Sequence, residues 1–313
     1  MSTLVTGAAG FIGSSLADAL TRRGTDVVGI DCFTDYYARS IKEANLAPLL
    51  ARPNFRFVEA PLQTTPLDTL LGGVTHIYHL AAQAGVRKSW GQDFLTYTTH
   101  NVDATQRLLE AVKDGRITRF VYASSSSVYG DEAPIPMRED VRLQPLSPYG
   151  VTKLAAEHLC LLYTANYGVP TVSLRFFTVY GPKQRPDMGF HRFMSAALDG
   201  RPITLYGDGE QTRDFTYIDD IVAALMAAGD HGRAGAVYNI GGGSRVSINQ
   251  VLDQIADIAG HPLDIRREAA QKGDMRDTFA DTTLARAELG FAPATTLADG
   301  LRAEYAWLKG FRE

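Results

Sequence analysis

Two stretches of this chain combine residue types and spacings that can do chemistry. The first is Tyr149-Gly-Val-Thr-Lys153. On a helix, residues four apart sit one turn apart on the same face. An ammonium beside a phenol favours the phenolate and lowers the phenol's pKa from its ordinary value of about 10. A tyrosine placed this way can act as acid and base near neutral pH. The second stretch is Thr6-Gly-Ala-Ala-Gly-Phe-Ile-Gly13. Gly7, Gly10 and Gly13 follow a short apolar strand and open an amphipathic helix, with Phe11 and Ile12 in its first turn. The first glycine permits a tight turn, the second lets backbone approach a pyrophosphate, and the third lets helix pack on strand. The helix start offers unpaired N–H groups to phosphates. Together the two stretches suggest hydride chemistry on an alcohol.

Two further features support them. Asp31 ends a second apolar strand. Its carboxylate can accept hydrogen bonds from both hydroxyls of a ribose and would repel a 2′-phosphate, so NAD is favoured over NADP. Ser124-Ser125-Ser126-Ser127 follows the strand Arg119–Ala123. Strand C-terminal ends are where open parallel sheets bind ligands. A serine run alone is more often a turn; its place ahead of Tyr149 and Lys153 favours a hydroxyl that bonds substrate and relays to the tyrosine.

The elements that must position these residues read as alternating strands and helices. Thr3–Thr6, Asp26–Asp31, Phe55–Val58, Val74–Ala81, Arg119–Ser124 and Thr171–Phe176 are apolar runs of strand length. Phe11–Arg23, Phe94–Lys113 and Pro148–Tyr167 carry helical periodicity between them. This alternation predicts an α/β fold, a Rossmann-type doubly wound parallel sheet with right-handed crossovers and a smaller α/β substrate lobe. After Phe177, proline and glycine punctuate the chain. Ile248–Gly260 and Leu297–Leu308 read as helices of the smaller lobe, and Asp219–Gly229 and Ala236–Ile240 as a return to the sheet. The expected division is therefore interleaved: 1–176 plus 214–241 for the dinucleotide, 177–213 plus 242–313 for the substrate.

With these residues in place, the chain resembles the extended short-chain dehydrogenase/reductase family and, within it, the nucleotide-sugar epimerases. The matching stretches are TGAAGFIGSSL, HLAAQAGVRKS, ASSSSVYG, SPYGVTK, RFFTVYGP and GEQTRDFTYIDDIV. DCFTDYY, HLAAQAGVR and RFFTVYGPKQRPDM are most similar to UDP-glucuronate 4-epimerases. The resemblance implies that Tyr149 is the acid/base, that Lys153 holds the nicotinamide ribose and tunes Tyr149, and that Ser125 is their hydroxyl partner. Leu80, Ala81 and Ala82 would line the NAD site. Ser126 and Ser127 would lie beside the sugar C5 substituent, with Arg87 among the substrate contacts. Thr178 stands where many sugar epimerases carry Asn. Arg185 and Arg213 suit a carboxylate or diphosphate. Asp274 would meet the uridine ribose and Tyr206 the uracil. The helices Phe94–Lys113 and Pro148–Tyr167 would pair across a homodimer, with Leu95, Val102, Leu109, Tyr163 and Tyr167 as interface candidates that could equally face their own core. One departure concerns adenine. The family often has Gly-Asp after the third strand, whereas this chain has Glu59-Ala60-Pro61-Leu62. Pro61 cannot hold the adenine amine, which leaves backbone at Leu62.

Three functions compete. An epimerase would oxidise C4 transiently, let the keto sugar turn, and return hydride to the other face. A lyase, either dehydratase or decarboxylase, would share the first step, but such enzymes carry carboxylates at the serine run and this chain has Ser126-Ser127. A non-catalytic NAD-binding protein would lose Tyr149 or Lys153. Among epimerases, UDP-glucuronate to UDP-galacturonate is preferred and UDP-glucose/UDP-galactose is the alternative. The bulk composition agrees with an enzyme of this size: 313 residues, 45% hydrophobic, formal net charge −4. No basic tract invites nucleic acid or an anionic membrane, and no apolar run reaches membrane-spanning length. Cys32 and Cys160 form no metal spacing and no disulfide framework, so no metal is expected and the compartment reads as cytoplasmic.

Overall fold

The computed structural model describes residues 2–115, 117–269, 271 and 273–312. Strand β1 (Ser2–Thr6) leads into helix α1 (Phe11–Arg22), followed by β2 (Asp26–Asp31), α2 (Arg39–Leu50), β3 (Phe55–Glu59), the single turn α3 (Leu67–Leu70) and β4 (Val74–His79). Next come α4 (Phe94–Tyr97), a π-helical stretch Thr98–Asp103, α5 (Ala104–Val112), β5 (Arg119–Ser125), α6 (Pro148–Tyr167) and β6 (Thr171–Phe176). The second half holds β7 (Thr178–Tyr180), α7 (Gly189–Asp199), β8 (Ile203–Tyr206), β9 (Thr212–Tyr217), α8 (Ile218–His231) and β10 (Ala236–Ile240). It closes with β11 (Arg245–Ser247), α9 (Ile248–Ala259), β12 (Ile265–Glu268), α10 (Thr283–Leu289) and α11 (Leu297–Arg312).

The main sheet has seven strands in the order β3-β2-β1-β4-β5-β6-β10, all parallel. It is a Rossmann-type doubly wound sheet, and its strand order reverses between β1 and β4. That switch point is where the C-terminal strand ends leave a crevice for a ligand. The strands are apolar runs because helices cover both faces: Leu4, Val5, Ile77, Phe120, Val121 and Leu174 are fully buried. The smaller sheets are β11-β9-β7 and β12-β8.

Local chemistry explains the boundaries of α6, the helix that carries Tyr149. Ser147 caps it by accepting from Gly150 N at 3.1 Å, Pro148 occupies its first turn, and Gly168 ends it in the left-handed conformation at φ 71°. Two expectations need correction. Asp219–Gly229 belongs to helix α8, which packs on α1 beneath the sheet, and only Ala236–Ile240 joins the strands. The helix expected over Phe94–Lys113 contains the wide π turn Thr98–Asp103, which turns Asn101 into the protein.

Candidate active site

The glycine turn is shaped for close approach. Gly7 has φ 70°, and a Cβ there would sit 2.9 Å from Ala81 N. A Cβ on Gly13 would collide with Gly7 O, so α1 could not start against the turn. Gly10 caps α1 without any side-chain hydrogen bond, which leaves the first N–H groups for an anion. Beside them Asp31 is held by backbone: Oδ2 accepts from Ala9 N at 3.2 Å and Oδ1 from Phe33 N at 2.8 Å. These features fit a dinucleotide with a free ribose diol. Gly7, Gly10, Phe11, Ile12, Gly13 and Asp31 line one cleft together with Leu80, Ala81, Ala82, Tyr149 and Lys153. Leu62 lines the same cleft near Asp31, where the adenine contact was expected.

The catalytic candidates meet at the inner end of that cleft. Ser125, at the end of β5, accepts from Ser127 N at 3.1 Å, and its hydroxyl acts on the Tyr149 phenol. The Tyr149 ring packs edge-on against Tyr97 at 6.2 Å. Burial raises the Tyr149 pKa, while the Ser125 hydrogen bond and the Arg185 charge pull it down. Burial also drives Lys153 from its ordinary range to about 7, although Cys160 and Glu157 act to raise it. Its Nζ lies 4.5 Å from the centre of the Tyr122 ring. Arg185 thus adds a second cation that acts on the Tyr149 phenol.

A second hollow opens next to the first. Ser126, Ser127, Thr178, Arg213 and Asp274 line it. At its outer end Arg87 Nη2 pairs with Asp274 at 2.7 Å and stacks over Tyr206, 4.5 Å from the ring centre. The substrate candidates therefore converge, with one exception. Arg185 lines the dinucleotide cleft with Ser124, Tyr149 and Lys153, outside the second hollow, and is tied to Asp187 at 2.9 Å and 3.0 Å. Reading the sequence did not single out Asn101 or Gln83. Gln83 N donates to Asn101 Oδ1 at 2.7 Å, and Asn101 Nδ2 donates to Thr152 Oγ1 at 2.9 Å, so the pair ties the β4 end to α6. A buried Asn on an otherwise apolar helix face was the available signal. Tyr36 and Tyr37 also line the cleft; they sit in DCFTDYY, to which only a resemblance was attached.

The family model described as NAD dependent epimerase/dehydratase matches residues 3–241. The chain belongs to this family. It is 47% identical over 310 residues to an uncharacterized UDP-glucose epimerase, YtcB, of Bacillus subtilis (strain 168), covering 98% of each chain. It is 37% identical over 315 residues to the UDP-glucuronate 4-epimerase of Thermodesulfobacterium geofontis, covering 98% of this chain and 95% of that one. The crystal structure of the UDP-glucuronic acid 4-epimerase of Bacillus cereus, in complex with UDP-glucuronic acid and NAD, superposes with a TM-score of 0.97 at 44% identity, covering 99% and 100% of the two chains.

Proposed function

We propose that this protein is an NAD-dependent UDP-sugar 4-epimerase that interconverts UDP-glucuronate and UDP-galacturonate. One observation carries the reading. Tyr149 and Lys153 line the dinucleotide cleft together with Ser124, and the next serines, Ser126 and Ser127, line a hollow rich in hydroxyls. Among the described residues lining that hollow, Asp274 is the one carboxylate, and it is paired with Arg87. A dehydratase or decarboxylase would need an acid near C5, and none of the serine-run residues supplies it.

NAD, when bound, supplies the acceptor and donor of hydride at C4. Tyr149 takes the proton of the 4-hydroxyl and later gives it back, with Ser125 bonding the same oxygen. Lys153 holds positive charge beneath them. The keto sugar must turn between the two half-steps, so Ser126, Ser127 and Thr178 grip through exchangeable hydrogen bonds. Gln83 and Asn101 fix the wall against which it turns. The 4-keto uronate is a β-keto acid. It keeps its carboxylate only if the bond to CO₂ is held out of overlap with the carbonyl π system, and several hydroxyl and N–H donors can do that.

The competing reading, 4-epimerisation of UDP-glucose, has one observation in its favour: the same hydroxyl lining can bond a hydroxymethyl group. Incubation with UDP-glucuronate, UDP-glucose and dTDP-glucose, followed by NMR of the products, separates the two. Turnover of UDP-glucose with none of UDP-glucuronate would replace the uronate reading.

Three finer statements belong to the same proposal. The lobes divide as 1–176 plus 214–241 for NAD and 177–213 plus 242–313 for the sugar nucleotide. The enzyme is a homodimer through α4, the π turn, α5 and α6. Leu95 and Tyr167 support this, being 73% and 53% exposed, as do Val151 and Leu162 at 48% and 54%. Leu109 and Tyr163, by contrast, are buried in their own core, where the Tyr163 hydroxyl donates to Glu110. Cytoplasmic residence is supported by free thiols at Cys32 and Cys160. No helix of the described residues is long and apolar enough to cross a membrane.

A further inference from the structure

Directly beneath the catalytic serines and Lys153 lies a buried ion pair to which the reaction assigns no task. Glu157 and Arg175 expose 1% and 3% of their surface. Arg175 Nη2 donates to Glu157 Oε1 at 2.7 Å and Nε to Oε2 at 3.1 Å. Glu157 Oε2 also accepts the Ser124 hydroxyl at 2.6 Å. Arg175 Nη1 donates to the Tyr129 hydroxyl at 2.8 Å, and that hydroxyl donates to Asn239 Oδ1 at 2.7 Å. The network thus joins β5, α6, β6 and β10. Ser124 and Arg175 are register partners on neighbouring strands. Glu157 follows Lys153 by one helical turn. A buried ion pair is weak evidence for stability, since apolar residues of similar volume usually serve as well.

We infer that Glu157 and Arg175 are positioning residues: their ion pair fixes Ser125 against Tyr149 through Ser124 and places a negative charge one turn below the Lys153 ammonium. The inference rests on the epimerase reading of the same site. Other groups also face Lys153: His79 from β4, Tyr122 from β5, and Cys160 from its own helix. His79 is held neutral by burial and by the Lys153 charge, its pKa lowered to about 3. Cys160 is kept a neutral thiol, its pKa driven up by burial. Glu157 is therefore the carboxylate whose charge acts on Lys153, one turn away on the same helix.

The test is the paired substitution Glu157→Gln with Arg175→Met in the NAD-loaded enzyme. It removes both charges together and keeps an amide oxygen for Ser124, so no lone charge is left buried. With ¹³C-lysine, the Lys153 side-chain resonance should titrate about one pH unit lower. The alkaline limb of kcat should move with it, and kcat should fall on the order of tenfold to a hundredfold with KM nearly unchanged. A folded variant with either an unmoved Lys153 titration or wild-type kcat overturns the inference. Should the pair fail to fold, Ser124→Ala cuts the tether without touching a charge; kcat should drop several-fold with the titration unmoved, and wild-type kcat there would equally overturn it. Because the titration needs no turnover, an enzyme inactive on every UDP-sugar would sink the epimerase reading while leaving this result legible.

Discussion

Tyr149→Phe removes one hydroxyl from a cleft and leaves α6 intact. Turnover should fall by about 10²–10⁴-fold, the range of a general acid–base group, with the melting temperature unchanged. Activity above a few per cent would assign the proton transfer to another group. Ser127→Ala takes one donor from the hollow that receives the C5 substituent, and the expected outcome is a rise in UDP-pentose by-product, read by NMR. Asp31→Ala should weaken NAD more than the sugar nucleotide in calorimetric titrations, and preferential NADP binding by the unaltered protein would refute the reading of Asp31. At this scale the sequence was legible wherever a residue type has few uses. Gly7, Gly13, Asp31, Tyr149 and Lys153 all reach one cleft. Arg185 could be read only as suiting a carboxylate or diphosphate, because nothing in the sequence shows that it pairs with Asp187. Asn101 stayed hidden because a π turn, invisible in periodicity, aims it inward.

Helix α11 grips the segment that carries Arg185. Glu304, fully buried, accepts from Gly181 N at 2.7 Å, and its other oxygen has no partner among the described residues. Burial raises its pKa from 4.5 to about 8. Between those values the folded protein keeps a proton that the unfolded chain releases. Stability is therefore lost progressively as pH rises from 4.5 to 8 and then levels off. Glu304→Gln mimics the protonated acid, so its melting temperature should gain on that of the wild type across this interval. A difference independent of pH would show that Glu304 is already ionised when folded. Strands β2 and β6 and helix α6 matched their apolar runs residue for residue. Helix α2 did not announce itself, since Pro48 lies inside it and the apolar residues it buries are only Leu46 and Leu49. Strands β7, β8 and β11 of the smaller sheets went unseen because three or four residues leave no period to read.

At the scale of the whole molecule, the proposed dimer would cover the exposed apolar face of α4 and α6. Light scattering at micromolar concentration should give a dimer, and Leu162→Glu, at a position 54% exposed, should shift it to monomer without lowering the fold's stability. A wild-type monomer would remove the dimer from the proposal. The path of the chain has a consequence of its own. Strand β6, every residue of which is buried, lies between β5 and β10, yet residues 177–235 intervene before β10 is made. On the ribosome, the growing chain carries β6, whose residues are all buried in the finished fold, as an open edge until β10 emerges. At elongation rates of about 5–20 residues per second, that interval lasts roughly 3–12 s. An unpaired edge of this kind templates pairing with other chains. Slow translation or premature termination within 177–235 should thus yield aggregate in place of partly folded enzyme, and this is the window in which the nascent protein depends most on a chaperone.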